Sequence, residues 1–200
     1  AAENTALENL TKQVADRITA AAQRRDALAT RTDAARLVFS ESDGVPGLIA
    51  DRYGDWVVVE LTTTGAERWR DVIGTTLLGL PGVRGVFERS DVEVRDREGL
   101  AARVGPLAGE VPPDEVEIHE DGARYVVDVR TGHKTGFYLD QRESRRALGA
   151  LTAGQRVLNT FCYTGAFSVV AGRHGAGEVV SVDSSGPALA GARRNLARNG

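Results

Sequence analysis

The sequence contains no methionine, a single cysteine and only two lysines among its 200 residues. One cysteine, Cys162, excludes an internal disulfide and a cysteine-rich metal site, and it favours a reducing compartment. No apolar run reaches the roughly 18 residues that a membrane-spanning helix needs, and the first residues lack the basic and apolar segments of a secretory signal. We therefore expect a soluble, cytoplasmic protein with no membrane partner.

The absence of methionine extends to position 1, which indicates a processed form or a fragment. The chain is otherwise of ordinary globular composition, 42% hydrophobic and 26% charged, which excludes a disordered, collagen-like or coiled-coil chain. Neither His133 nor His174 has further ligands at metal-binding spacing, so no metal site is expected.

The formal net charge is −3, so a nucleic-acid partner would have to meet a local basic patch. Phe137 and Tyr138 are candidates for stacking on unpaired RNA bases. The alternative for each arginine group is a solvated helix face. Three groups of arginines are candidates for contacts with RNA phosphates: Arg17, Arg24, Arg25, Arg31 and Arg36; Arg142, Arg145 and Arg146; and Arg193, Arg194 and Arg198.

The first 130 residues read as an amphipathic helix followed by a small α+β unit. Apolar residues at three- and four-residue spacing predict one helix over residues 4–28, either packed on a domain or leading from a preceding one. A mixed sheet with about one helix is predicted for residues 36–130. Its predicted strands cover residues 36–40, 48–51, 56–61 and 83–88, its helix 66–78, a loop 99–114, and a hairpin turns at Asp121-Gly122.

After residue 129 short apolar strands alternate with helices. The predicted helices cover residues 141–151, 165–174 and 187–198, and two buried strands cover 156–159 and 178–182. This alternation indicates an α/β fold, the first part of a parallel, Rossmann-like sheet. We therefore divide the chain into a helix plus central α/β domain, 1–131, and the start of a second domain, 132–200, which we expect to be truncated.

The loop after the first parallel strand is a candidate cofactor site. In open α/β sheets ligands bind beyond the carboxyl ends of the strands, and Asp183, which ends the next strand, could accept both hydroxyls of an adenosine ribose. Only Gly165 stands where a dinucleotide site needs three glycines. S-adenosylmethionine, which has no phosphates, therefore fits better than a dinucleotide. The alternative is a helix-packing glycine and an exposed aspartate.

Residues 132–142 crowd glycines, aromatic residues, a lysine and an arginine ahead of a helix. Arg142 could bind the carboxylate of a cofactor through two parallel hydrogen bonds, with Lys134 as a compact cation nearby. The alternative is a hinge in which Asp140 caps the helix and Arg142 is solvated. The sequence alone favours neither.

Five motifs stand in a familiar order: residues 43–52, 88–91, 132–142, 159–167 and 181–183. With these motifs the chain resembles the class I S-adenosylmethionine-dependent 23S rRNA methyltransferases that carry a PUA domain, of the large-subunit type that makes 5-methylcytosine. The resemblance covers nearly the whole chain and implies ribosomal RNA as the partner. It leaves a homodimer open.

The resemblance also implies what is absent from these residues. A full-length member has a preceding PUA domain and, on later strands, an Asp-Pro-Pro motif and the cysteine that attacks the base. Catalytic residues are therefore expected beyond Gly200, Cys162 is expected to be a buried filler, and no methyl transfer is expected from these 200 residues alone. The cofactor-binding residues implied are Lys134, Thr135, Gly136, Tyr138, Gln141, Arg142, Asn159, Phe161, Tyr163, Thr164, Gly165, Phe167, Asp183 and Ser184.

Two other functions stay open. The chain could be a non-catalytic module that binds RNA or protein. The less favoured alternative is a dinucleotide-dependent oxidoreductase, because the glycines that hold a diphosphate are missing.

Overall fold

The computed structural model describes residues 2–200, with side chains from Thr5 onward. The chain divides into two compact units. The first contains the residues up to Val116 and residues 128–137, and the second contains residues 117–127 and 138–200. No helix within residues 2–200 is long and apolar enough to cross a membrane.

The first unit is built on a five-stranded sheet in which the strands follow one another in chain order. The third and fourth strands are parallel, and the other neighbouring pairs are antiparallel. The strands are β1 (Ala34–Phe39), β2 (Leu48–Tyr53), β3 (Trp56–Leu61), β4 (Gly85–Ser90) and β5 (Arg103–Gly109). The helices of this unit are α1 (Ala2–Gln23), α2 (Thr64–Arg68), α3 (Arg70–Leu78) and α4 (Val94–Arg97).

One face of this sheet forms the hydrophobic core with α1 and α3. Ile18 of α1 and Ile73 of α3 are buried against alternate residues of β3, Val57 and Val59. The amphipathic pattern therefore predicted the packing of the later part of α1 correctly, whereas Leu7 and Leu10 of the same apolar stripe are 50% and 49% exposed. The helix is shorter than predicted, because it ends at Gln23 and a 3₁₀ turn follows at Asp26–Thr30.

Strand β5 corrects the predicted loop over residues 99–114. Glycine and proline disfavour strands in general, but an edge strand tolerates them because one side of its backbone needs no partner strand. Gly105 and Gly109 have positive φ angles of 154° and 71°. The pairing with β4 shifts register between Val86 and Phe87, so the strand adapts locally.

The predicted hairpin is confirmed as β6 (Val116–Glu120) and β7 (Ala123–Val127), but it forms a separate two-stranded sheet. Nearly all of it belongs to the second unit, so the predicted boundary near residue 131 does not coincide with the two units. The reason is the helix α7 (Gly186–Asn199), whose Asn195 Oδ1 accepts a 2.7 Å hydrogen bond from the backbone N–H of Val126 in β7.

The second unit also contains α5 (Arg142–Gly149), β8 (Arg156–Thr160), α6 (Ala166–Arg173) and β9 (Glu178–Val182). The predicted parallel pairing of β8 with β9 is confirmed. The prediction that both strands are buried is wrong, since Leu158 is 66% exposed and Val180 45%. Helix α6 packs against the two strands. Within the described chain, alternate residues of both strands remain exposed to solvent.

Candidate cofactor site

The loop between β8 and α6 has an unusual backbone. Phe161, Tyr163 and Gly165 all have left-handed φ angles, of 57°, 48° and 76°. A Cβ at position 165 would also lie 2.8 Å from the Cβ of Ala192 on α7. Gly165 is therefore required both by the backbone conformation and by the close approach of α7. This approach is the helix-packing role that the sequence offered as an alternative.

Asp183, directly after β9, fixes this loop. Its Oδ2 accepts a 2.8 Å hydrogen bond from the backbone N–H of Tyr163, and its Oδ1 accepts one of 2.9 Å from Ser185. An ionised carboxylate has about four acceptor positions. The side chain is half-buried, so Asp183 is both a loop anchor and a carboxylate placed at the carboxyl ends of β8 and β9.

Cys162 lies inside the loop and is buried. Its backbone N–H donates to the carbonyl of Val182 at 3.0 Å, which joins the loop to β9. Burial, and then the negative charge of Asp183, raise the pKa of the Cys162 thiol. A nucleophilic cysteine needs the opposite shift, so these surroundings support the filler role.

Aromatic rings surround the loop. The rings of Tyr138 and Tyr163 meet edge to face, with their centroids 5.5 Å apart and their planes at 83°. Phe161 is 90% exposed, so its ring offers a flat apolar surface at the end of β8. Aromatic side chains of this kind can pack against a purine.

Two asparagines near the loop, one on β8 and one on α7, have hydrogen-bond partners within the second unit. Asn159 Nδ2 donates to Ser168 Oγ of α6 at 2.8 Å, and its contact with a cofactor stays a prediction. Asn195 is fully buried, and its Nδ2 donates to the carbonyl of Thr164 at 3.0 Å. Sequence reasoning missed Asn195, although it continues the buried face of α7 at helical spacing from Ala188 and Ala192.

Residues 132–137 of the glycine-rich segment belong to the first unit. Thr135 is buried, and its hydroxyl donates to Asp51 Oδ2 at 2.6 Å and bonds to the hydroxyl of Tyr53 at 2.7 Å. Phe137 is also buried, which corrects its predicted role in stacking on RNA. Lys134 is exposed in a left-handed conformation, φ 57°.

The rest of the segment lies in the second unit, where Arg142 is paired with a protein carboxylate. Its Nε donates to Glu120 Oε2 at 3.2 Å. Arg145, 2% exposed, donates to both oxygens of Glu120, at 2.6 and 2.8 Å, and to the carbonyl of Tyr138 at 2.9 Å. Arg142 is thus held by Glu120, and its contact with a cofactor carboxylate stays a prediction. The capping alternative fails, because among the described residues no side chain caps α5.

The remaining predicted cofactor residues are scattered. Gln141, Thr164 and Phe167 are half-buried in the second unit, Ser184 is exposed beside Asp183, and Gly136 is buried in the first unit.

The predicted RNA-binding arginines are mostly engaged within the protein. Arg24 and Arg25 both pair with Asp43, and Arg36 pairs with Asp51 through two hydrogen bonds. Arg145 is buried, as described above. Arg146, Arg193 and Arg194 are exposed.

The parallel strands, the pinned loop and the carboxylate after β9 are the arrangement at which open α/β sheets bind nucleotide ligands. Residues 92–200 match the family model of S-adenosylmethionine-dependent methyltransferases, and the chain belongs to this family. The fold is therefore the mixed α/β fold that the sequence indicated.

Curated relatives are ribosomal RNA large subunit methyltransferases I. That of Aeromonas hydrophila is 52% identical over 166 residues, 82% of this chain and 42% of the relative. That of Photobacterium profundum is 49% identical over 186 residues, 92% of this chain and 47% of the relative. The chain thus spans less than half the length of these curated relatives.

Solved structures agree. A candidate S-adenosylmethionine-dependent methyltransferase from Streptococcus mutans is 30% identical, with a TM-score of 0.82 over 94% of this chain and 49% of that chain. A candidate methyltransferase in complex with S-adenosylhomocysteine has the same TM-score and identity, over 94% of this chain and 48% of that one.

Proposed function

We propose that the second unit binds S-adenosylmethionine at the carboxyl ends of β8 and β9. The observation that carries this proposal is the loop of residues 161–165, whose left-handed backbone is tied to Asp183 and to α7. These residues fit the cofactor because they combine a carboxylate acceptor with an exposed aromatic surface.

Asp183 would accept the ribose hydroxyls, because its carboxylate lies at the carboxyl ends of β8 and β9 and such a group can accept several hydrogen bonds at once. Phe161 would pack against the adenine. The bound cofactor supplies the methyl group, and the protein's part is to hold and orient it. Of the other residues implied by the resemblance we retain Tyr138, Gln141, Tyr163, Thr164, Gly165, Phe167 and Ser184.

We further propose that the whole protein methylates large-subunit ribosomal RNA in the cytoplasm, at C5 of a cytosine. The names of the curated relatives support the RNA substrate. The burial and raised pKa of Cys162 support a nucleophile other than this thiol.

The cofactor proposal is tested by calorimetry with S-adenosylmethionine and the Asp183→Ala variant. Leaving the ribose hydroxyls without their acceptor should weaken binding by about 1–3 kcal/mol, or roughly 5- to 150-fold. Asp140→Ala removes an exposed carboxylate of the same unit and should leave the affinity unchanged. Equal affinities for wild type and Asp183→Ala would contradict the proposed site. A chain that bound RNA and no cofactor would be a non-catalytic module.

A further inference from the structure

The first unit carries an unexplained row of side chains on the sheet face opposite its hydrophobic core. Phe39, Ile49 and Glu60 are direct register partners on β1, β2 and β3. Arg89 continues the row, because Val59 pairs with Glu88 in the parallel register. Val104 of β5 is the register partner of Arg89 and ends it. We call these five residues the cross-strand row. With strands about 4.8 Å apart, it is about 19 Å long.

The two ends of the row are exposed apolar side chains. Phe39 is 47% exposed and Val104 55%. The guanidinium carbon of Arg36 lies 5.2 Å from the centre of the Phe39 ring. Arg36 is itself fixed by two hydrogen bonds of 2.8 and 2.9 Å to Asp51. Phe39 therefore presents an exposed aromatic ring at the end of β1, next to the Arg36 guanidinium that Asp51 holds in place.

The middle of the row is charged and incompletely paired. Glu60 is half-buried, and among residues 2–200 none donates a hydrogen bond to its carboxylate. Burial, followed by the charge of Asp51, raises the pKa of Glu60, although Arg36 and Arg89 act in the opposite direction. The Glu60 oxygens are not among the fully buried polar atoms of the described residues, so they can be reached by a ligand that donates a hydrogen bond.

Arg89 lies next to Glu60 on the neighbouring strand β4 and carries the hydrogen-bond donors. Its Nε donates to Asp91 and its Nη1 to the carbonyl of Gly132, both at 3.2 Å. Its Nη2 has no partner among the described residues. An acceptor on β3 and a donor on β4 thus lie side by side, one strand spacing apart, next to an apolar platform.

We propose that the cross-strand row binds an unpaired RNA base that carries an amino group on its Watson–Crick edge. The base packs on Phe39 and Ile49, its amino group donates to Glu60, and its neighbouring ring acceptor receives a hydrogen bond from Arg89. This proposal rests on the proposed RNA substrate and assigns part of its recognition to the first unit. The acceptor Glu60 and the donor Arg89 stand side by side, as do the amino group and the ring acceptor on one edge of such a base, and this pairing favours a base over a protein partner.

The chemistry distinguishes cytosine from uracil. Cytosine presents an amino donor where uracil presents a carbonyl acceptor. A carboxylate only accepts, so Glu60 favours cytosine, whereas a glutamine amide can turn its donor toward uracil. Stacking on Phe39 is shared by both bases, because every base has an aromatic face.

The test is fluorescence anisotropy on the 200-residue chain with labelled unpaired octamers of cytidine and uridine, at one fixed salt concentration. Wild type should bind the cytidine octamer at least about fivefold more tightly. Glu60→Gln should abolish this preference. Phe39→Leu should weaken the binding of both octamers by a similar factor of about 5 to 10, whereas Phe39→Tyr, which keeps an aromatic face, should bind both as tightly as wild type does. Glu93→Gln, an exposed glutamate of the same unit, should change neither affinity.

The outcomes separate this inference from the proposed function. If the chain binds RNA, the preference survives in Glu60→Gln and Phe39→Leu leaves both affinities unchanged, then the row is not the base site, while the RNA substrate stands. If neither octamer binds while S-adenosylmethionine does, the row is overturned as an RNA site and the cofactor site is unaffected. Thermal melting of each variant checks the fold, and neither of the two tested positions is fully buried.

Discussion

Asp43 illustrates at the residue scale how the first unit uses its arginines. Burial alone would raise the pKa of Asp43, but hydrogen bonds from Arg25, Arg24 and the backbone N–H of Phe39 outweigh it and lower the pKa to about 2. The arginines that the sequence offered as an RNA patch thus join the end of α1 to the loop after β1.

The pH dependence of stability follows from this pKa. A carboxyl group with a depressed folded pKa stabilises the protein above its unfolded pKa, near 4, and loses the effect as the pH falls towards 2. We expect Asp43→Asn to lower the free energy of unfolding at pH 7 by about 1–2 kcal/mol, less than the full shift implies because Arg24 is half-exposed. Urea titrations of both proteins between pH 7 and 2.5 should converge at the acid end. A constant difference would show that charge pairing is not the cause.

A second prediction at the residue scale concerns the effect of Gly165 on stability. Alanine there must adopt a left-handed φ and place its Cβ against Ala192. We expect Gly165→Ala to destabilise the chain by about 2–4 kcal/mol in chemical unfolding. Gly172→Ala, on α6 with no atom within 4 Å of its new Cβ, should instead be neutral or stabilising by up to about 1 kcal/mol. Equal effects at both positions would remove Gly165 as a conformational requirement.

At the scale of elements, Glu120 joins the hairpin to α5. The last residue of β6 accepts hydrogen bonds from Arg142 and Arg145, all three being buried. Arg145 also donates to the carbonyl of Tyr138, whose ring contacts Tyr163 in the loop of residues 161–165. The hairpin therefore supports this loop through one buried carboxylate.

Neutralising Glu120 should be costly, because two buried guanidinium groups lose the charge of the carboxylate to which both donate. We expect Glu120→Gln to lower the free energy of unfolding by about 3–5 kcal/mol. Arg146→Gln, an exposed arginine of the same helix, should change it by less than about 0.5 kcal/mol. Thermal and urea unfolding measure both, and a Glu120→Gln variant as stable as wild type would show that the triad is not structural.

The elements also show what the sequence could and could not predict. The Asp121-Gly122 turn was predictable because both residues take the left-handed φ angles, 47° and 80°, that its type requires. Strand β5 was not, because pairing with β4 overrides the local preference of Gly105 and Gly109. The planar fork of Arg142 matches any carboxylate, so local pattern alone could not choose between a cofactor and Glu120, 22 residues away.

On the scale of the whole molecule, the two units have separate tasks in this account. The second carries the loop, the carboxylate and the aromatic rings of the proposed cofactor site, and the first carries the cross-strand row. With a net charge of −3, RNA affinity must come from local groups rather than from the overall field.

Backbone amide NMR with S-adenosylhomocysteine, the product left by methyl transfer, tests the proposed cofactor site of the second unit most directly. S-adenosylhomocysteine added to the isotope-labelled chain should shift the amide resonances of residues 161–165 and 183–185 in a saturable, 1:1 manner. Amides of β1 to β5 should be unaffected. No saturable shift, or shifts confined to the first unit, would contradict the account.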